Sequence, residues 1–420
     1  MTESPVPLPV AVIGAGAAGL MAALHAARAG ASVVLLERTS DGGRKILISG
    51  GGRCNVLPAV ERPGAFVTDS SARLLRRLLG AWPLAEQRAF FESDLGLPLS
   101  LEAESAKLFP RSGKARDVRD ALLDAARAAG VRPWFGAAVT DAVPTGNGWT
   151  VHLEGAPPLI ACAVVLATGG LSVPATGSDG FGLKLADRLG HTVHPTYPAL
   201  TPLTADPPPH AHLAGISLEV TLRAPAARPR FTTTGGFLFT HRGWSGPTVL
   251  DASHLATRAR LGLAEPDSAR IRVAWTRLDR DAWTAELQSG PGTVARAVGR
   301  HLPDRLVEQL LAQAGIPADR TLAQLRRGER TALVEALCDT LLPWTGDEGY
   351  KKAEVTGGGV ALSEMDPHTL ESRLCRGLFL CGELLDAFGP IGGHNFQWAW
   401  STGRAAGLGA ATHAQRPPHA

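Results

Sequence analysis

Four uninterrupted apolar runs punctuate the chain, and three of them end at glycine directly or one residue on. They are Val10-Ala-Val-Ile13 before Gly14, Val33-Val-Leu-Leu36 before Glu37, Ala163-Val-Val-Leu-Ala167 before Gly169, and Leu378-Phe-Leu-Cys381 before Gly382. Runs of this length that do not alternate with polar residues read as buried strands, and Ala163 to Gly170 suits a central parallel strand whose end approaches a ligand. Helical spacing of apolar residues predicts helices from Ala17 to about Ala29, within Ser70 to Phe91, and from Ala115 to Ala129 with Gly130 as the stop. Strands are expected at Val131 to Val139 and Trp149 to Leu153, joined by a turn at Thr145 to Gly148. Asp41 to Asn55 is too polar and glycine-rich for a core element. The proline-dense stretch Pro195 to Pro209 reads as a crossing between domains. Beyond it, Leu218 to Leu222, Gly236 to Thr240 and Ile271 to Thr276 form a smaller β unit, and Asp281 to Leu342 turns helical. Gly389 to Trp400 reads as a loop feeding a helix, and the tail from about His413 as disordered.

Composition narrows the class. A length of 420 residues allows two or three domains, and 45% hydrophobic with 19% charged residues fits a soluble globular chain. The formal net charge is only +3, with no run of Lys or Arg, so nucleic acid is not an expected partner. Met1-Thr-Glu-Ser-Pro lacks a basic n-region and no span is long and apolar enough for a membrane, so neither a signal peptide nor a membrane partner is expected. Cys54, Cys162, Cys338, Cys375 and Cys381 make neither CxxC nor zinc spacing, which fits a reducing cytoplasm. Cys381 lies in a buried strand and reads as a small core residue.

The first run carries chemistry. In Gly14-Ala-Gly-Ala-Ala-Gly19, Gly14 turns the chain off the strand, Gly16 lets the backbone approach a pyrophosphate, and Gly19 lets the next helix pack on the sheet. The N–H groups of Gly14, Ala15, Gly16, Ala17 and Ala18 and the positive end of the helix face the phosphates. Glu37, followed by Arg38, sits where a carboxylate accepts both ribose hydroxyls. An empty strand-to-helix turn would not need the acid at that distance. The cofactor is therefore an adenine dinucleotide. The far end of the chain points to FAD: Gly382 and Glu383 would approach the ribityl and pyrophosphate region, and a helix from near Asn395 would aim its N–H groups at the flavin ring, where negative charge builds on reduction.

Gly43-Arg-Lys-Ile-Leu-Ile-Ser-Gly-Gly-Gly-Arg-Cys-Asn55, Ala167-Thr-Gly-Gly170 with Thr176 to Gly180, Phe239 to Pro247, Val355 to Val360 and Gly389 to Trp400 occur in that order. This series resembles the signatures of a three-domain bacterial flavoprotein family of FAD-dependent oxidoreductases that includes aminoacetone oxidase and a proposed bile-acid 3-dehydro-steroid reductase. The resemblance covers nearly the whole chain. It implies an α/β fold: a Rossmann-like, GR2-type FAD-binding domain split between residues 1–195 and 345–420, a β-rich substrate domain at 196–278, and a helical insert at 279–344. Two departures stand out. Val56-Leu57-Pro58 replaces the Thr-Asn pair that usually follows GGGRCN, and His394 stands where the family often has Tyr.

The expected cofactor contacts extend to Arg44, Lys45, Gly50, Gly51, Arg53, Cys54 and Asn55, to Val139, to Ala167, Thr168 and Gly169, and to Asn395, Phe396 and Gln397. At least one of Arg44, Lys45 and Arg53 is expected to face the pyrophosphate or the flavin edge. No metal is expected: His191, His194, His210 and His212 have ligand-like spacing but no attached acid or Cys cluster, and read as surface histidines. No catalytic residue is assigned, because a flavin carries the electrons itself. No second glycine turn exists to hold NAD(P)H, which leaves a transiently bound NAD(P)H as electron donor. The leading reading is an FAD-dependent oxidoreductase on a small or hydrophobic molecule, either an amine oxidase or an enone-type reductase. A flavin-holding regulatory protein is the second reading and an RNA-modifying flavoprotein the third, the lack of basic patches counting against it. Oligomeric state is left open.

Overall fold

The structure is a computed structural model that describes residues 7–146, 148–288 and 290–416; Met1 to Val6, Asn147 in the expected turn, Ser289 and 417–420 lie outside the described residues. The chain divides into two compact units, one of residues 1–196 with 355–420 and one of residues 197–354.

In the first unit, β1 (Val10–Ile13) is followed by α1 (Ala17–Arg28), β2 (Val33–Glu37), α2 (Arg44–Ile48), α3 (Ala115–Ala128), β3 (Arg132–Phe135), β4 (Ala163–Leu166), β5 (Leu378–Leu380) and α4 (His394–Ala414). The five strands form one sheet in the order β5-β4-β1-β2-β3, and every pairing is parallel. All but β3 are buried throughout, which is why they read as unbroken apolar runs. The strand order runs outward from β1 to β3 on one side, then returns to β4 and β5 on the other. The reversal opens a crevice at the C-terminal end of β1, the place where such sheets bind ligands.

Helices α1 and α4 pack at Gly403 and Gly407. A Cβ on Gly403 would lie 2.4 Å from the Ala18 carbonyl oxygen, and one on Gly407 would lie 2.3 Å from that of Ala22. Because 403 meets 18 and 407 meets 22, the two helices run parallel and their N-termini point the same way. Gly403 is nine residues into α4 and Ala18 is one residue into α1. At a rise of 1.5 Å per residue, α4 therefore begins about 12 Å farther out than α1.

Several elements differ from the sequence reading. Val131 to Val139 is not one strand: Gly136 takes φ +72° and ends β3, and Val139–Thr145 starts a separate antiparallel meander with Gly148–Leu153 and Ala156–Ala161. Asp41 to Asn55 contains α2, whose Ile46 is fully buried. The helix α4 carries through His413, where a disordered tail was expected, because its last turns pack their small residues into the core.

The second unit holds a seven-stranded antiparallel sheet that includes Ser217–Ala224, Phe231–Phe239 and Arg272–Ala274, with the helix Pro247–Arg260 on it. The β-rich and helical stretches expected as separate domains share one core here. The rings of Phe237, Phe239 and Trp275 join Trp283 and the apolar faces of Asp304–Gln313 and Arg327–Cys338. After the helices, Thr340–Leu341 and Gly346–Asp347 return as the two edge strands of the same sheet. That return also moves the boundary from 345 to 355. Among the described residues, no helix is long and apolar enough to cross a membrane.

Candidate cofactor and active site

The turn after β1 is shaped by three different glycine requirements. Gly14 has φ +103°, and a Cβ there would stand 2.5 Å from the Ala167 carbonyl oxygen at the end of β4. A Cβ on Gly19 would fall 1.8 Å from the Gly14 carbonyl, whereas one on Gly16 would meet nothing within 4 Å. The protein forbids a side chain at two positions and leaves open space at the third. The first intrahelical bond runs from Leu20 N–H to Gly16, and no side chain caps α1 and no acid occupies its first turn. Open space in front of free N–H groups and a positive helix end fits a dinucleotide diphosphate.

On the adenosine side, the buried Glu37 carboxylate accepts from Ala15 N–H at 2.8 Å on one oxygen, and from Thr39 N–H at 2.8 Å and Thr39 Oγ at 2.7 Å on the other. A carboxylate has roughly four acceptor positions. Glu37 thus keeps capacity for one ribose hydroxyl, where the sequence reading assigned it both. Val139 stands close by, since Ala137 N–H bonds the Glu37 carbonyl. The Arg38 guanidinium turns to Asp179 instead.

The basic glycine-rich segment separates its charges. Arg44 pairs with Asp41 at 2.8 Å, and Arg53 pairs with Glu102 at 2.9 Å and covers the Phe109 ring. Lys45 alone turns inward, with Nζ 2.5 Å from both Glu383 and Ser172 Oγ. Glu383 also accepts from Ser172 Oγ, Thr356 Oγ and Thr356 N–H. This cluster ties α2, the loop after β4, residue 356 and the loop after β5 together beside Gly382, whose Cβ position touches Ala18. Ser172 and Thr356 were missed in the sequence; the signal was their place two residues after Gly170 and directly before Gly357. Gly50, Gly51, Gly52 and Cys54 all take positive φ, which curls the backbone so that a Cβ on Gly50 would sit 3.1 Å from Asn55 N. Burial pushes the Cys54 thiol up to about 12, so it is a packed thiol and not a nucleophile. Thr168 Oγ is buried without a partner, and Gly169 takes φ +71°.

The outer end is built by α4. It has no side-chain cap and no acid in its first turn, so its leading N–H groups stay free. The Asn395 side chain does not reach outward: it bonds Gly389 N–H at 2.8 Å and its carbonyl at 3.0 Å, which locks the loop before the helix. Phe396 stacks on Trp400. The Gln397 and His394 side chains are buried and face each other at the start of the helix. Burial and then Arg62 hold His394 down at about 4, so its ring is neutral and the helix end supplies the positive potential. Trp398 Nε1 donates to Gly382 O at 3.0 Å and Trp400 Nε1 to Val56 O at 2.9 Å, fixing both flanking segments to the helix. The offset of about 12 Å between the two helix starts matches a cofactor with a diphosphate at one end and a ring system at the other. These residues fit FAD, which when bound supplies two-electron redox chemistry at its ring.

Of the histidines with ligand-like spacing, His212 is exposed as expected and His194 partly so, whereas His191 and His210 are buried and not surface residues. His191 is 2% exposed, with Nδ1 2.8 Å from Glu364 and Nε2 2.9 Å from Ser372 Oγ; His210 is 8% exposed and faces Trp244. His194 stands 3.7 Å from the buried Asp386.

Comparison with known proteins agrees with this geometry. The ribosomal RNA dihydrouridine synthase of Escherichia coli K12 is 34% identical over 93% of this chain and 95% of its own length. The 3-dehydro-bile acid delta(4,6)-reductase of Clostridium scindens is 33% identical over 96% and 98%. Among solved structures, the 3-ketosteroid-delta4-(5alpha)-dehydrogenase of Rhodococcus jostii RHA1 shares the fold, with a TM-score of 0.52, 17% identity and 98% coverage of both chains. The family model described as "HI0933-like protein Rossmann domain" matches residues 8–409, so the chain belongs to that family and is an FAD-dependent oxidoreductase.

Proposed function

We propose that this protein is a reductase of a carbon–carbon double bond conjugated to a carbonyl, with the hydride entering through FAD from a transiently bound NAD(P)H. The observation that carries this reading is that two relatives spanning nearly the whole chain are named for that one bond class. Dihydrouridine arises by saturating the uracil double bond next to a carbonyl, and a delta(4,6)-reductase of a 3-dehydro bile acid acts on double bonds conjugated to the 3-keto group. The residues of this chain support it. The free N–H groups of α4 stabilise negative charge at the flavin edge, neutral His394 adds no competing charge, and the Lys45–Glu383 cluster holds the loop beside Gly382.

The substrate is taken to be a small hydrophobic enone, since the chain has a net charge of only +3 and no basic run. The RNA reading is kept second because the Haemophilus influenzae relative, 32% identical over 94% of this chain, carries the same ribosomal RNA name as that of Escherichia coli. No membrane partner is proposed, and five free cysteines suit a reducing cytoplasm.

Anaerobic mixing with NADPH or NADH tests the electron donor: the flavin band should bleach promptly. Adding 4-androstene-3,17-dione should then restore the colour with formation of the saturated ketone. Recolouring by uridine-containing ribosomal RNA and not by the steroid would move the second reading to first place. No bleaching, with a hydrogen-peroxide burst on aerobic mixing with amines, would replace the reductase by an amine oxidase.

A further inference from the structure

Asp386 is an isolated carboxylate in a buried position, and nothing in the cofactor contacts above uses it. It is 1% exposed, and one of its oxygens, Oδ2, accepts from Thr68 Oγ at 3.0 Å, Asp69 N–H at 2.9 Å, Ser70 N–H at 2.8 Å and Ser70 Oγ at 2.9 Å. Every one of these partners is a donor, which favours the ionised carboxylate, although burial pushes its pKa up. Facing the same oxygen is His194 Nε2 at 3.7 Å, on a side chain 26% exposed. This differs from His191, three residues earlier, whose two ring nitrogens are both spent on Glu364 and Ser372. With Nε2 toward Asp386, His194 has Nδ1 on the side of the ring away from the carboxylate. A second acid, Asp69, also acts on Asp386.

The pair lies near the start of α4. Val67 and Phe388 form an antiparallel bridge, and Thr68 Oγ bonds the Asp386 carbonyl at 2.6 Å. Gly389 then touches the start of α4, its Cβ position being 2.6 Å from His394 Cβ. Gly389 lies three positions after Asp386, a reach of at most about 10 Å. The pair is therefore within one short extended segment of the helix end that faces the flavin ring.

We infer that His194 is a catalytic proton donor to the substrate, with Asp386 as its positioning residue. This rests on the proposed reductase function. When a hydride from reduced FAD forms the new C–H bond at the β-carbon, the π electrons of the double bond move to the carbonyl oxygen. The resulting enolate carries the charge, and FAD is left oxidised. Its α-carbon then takes a proton, which His194 Nδ1–H gives up while the Asp386 carboxylate faces Nε2 at 3.7 Å; water returns a proton to the imidazole. The substrate is reduced by two electrons, and the NAD(P)H that reloads the flavin is oxidised by two.

The test uses the FAD-loaded enzyme and 4-androstene-3,17-dione. After anaerobic reduction with dithionite, His194→Ala should hold its flavin and bleach normally, yet be recoloured by the steroid roughly 10²–10⁴-fold more slowly than the unaltered enzyme. Added imidazole should restore part of that rate, which it would not do for a packing defect. In heavy water, the unaltered enzyme should place one deuterium on the α-carbon. A readout independent of turnover is carbethoxylation of His194 followed by mass spectrometry, which the steroid should suppress in the unaltered enzyme. Recolouring of His194→Ala at the unaltered rate, slowing that imidazole does not relieve, or full modification of His194 with steroid present would each overturn the proton-donor role while leaving the reductase reading in place. If the unaltered reduced enzyme is recoloured by neither the steroid nor uridine in RNA, the reductase reading falls and the donor role with it.

Discussion

At the residue scale, the glycine turn gives physical form to the two roles that the motif assigns to Gly16 and Gly19. Gly19 is required by the fold, because a methyl group there would meet the Gly14 carbonyl at 1.8 Å; Gly16 is required by what approaches it, because a methyl group there meets nothing of the protein. Gly19→Ala should destabilise the cofactor-free protein by about 1–3 kcal/mol, while Gly16→Ala should leave its melting temperature unchanged and lower FAD retention; thermal melts and flavin content after reconstitution check both. The motif assigns these two roles by spacing, and the distances supply the physical reason for each. The burial of individual histidines, by contrast, is not legible in sequence. Burial, with Arg404 and Arg28 nearby, holds His25 at about 3, and burial holds His254 and His394 at about 4. Each is lowered below its unfolded value, so the unfolded chain binds more protons as pH falls below about 6.5, and stability drops between there and about 4. At pH 5 each should cost on the order of 1–2 kcal/mol relative to pH 7. His25→Leu, read by urea denaturation at the two pH values, should remove its share of that loss.

At the element scale, sequence foretold what burial makes uniform and missed what a neighbour decides. The strands of the parallel sheet and α1 were legible because their burial is nearly complete. The segment that holds α2 was not, because its polar residues bond outward to Asp41 and inward to Glu383 while, within α2, Ile46 alone enters the core. The helix Pro247–Arg260 was missed for a similar reason: it is amphipathic only weakly and begins with proline directly after a strand-like run. The parallel packing of α1 and α4 is likewise invisible in either segment alone. It makes a prediction with an unusual sign. Gly→Ala inside an exposed helix ordinarily gains about 1 kcal/mol, but the Cβ of Gly407→Ala would sit 2.3 Å from the Ala22 carbonyl. The substitution should instead lower stability by about 1–3 kcal/mol and reduce flavin content, because α4 carries the N–H groups at the outer end of the site. Circular dichroism melts of the cofactor-free protein and the flavin absorbance of the purified variant give the two readings.

At the scale of the whole molecule, the discontinuous first unit was legible because its strands carry their own signature wherever they fall in the chain. β5, more than two hundred residues after β4, still reads as an apolar run ending in glycine. The internal division of the second unit was not legible, because its edge strands Thr340–Leu341 and Gly346–Asp347 are two residues each, too short to give a pattern. They nevertheless close one core around Trp275 and Trp283, separate from the core that surrounds the parallel sheet. Two cores with all of the cofactor contacts in one of them have a thermodynamic consequence. A ligand that binds only the folded form of a unit stabilises that unit, by about 4 kcal/mol when its free concentration is a thousand times its dissociation constant. Scanning calorimetry of the cofactor-free protein should therefore resolve two transitions, and adding FAD should raise the temperature of one and leave the other in place. Limited proteolysis at the same FAD concentrations assigns them: protection should build up on fragments from residues 7–196 and 355–416, and cleavage within 197–354 should stay unchanged. A single transition that moves as a whole with FAD would mean that the two cores unfold as one, and would place the second unit within the cofactor's energetic reach.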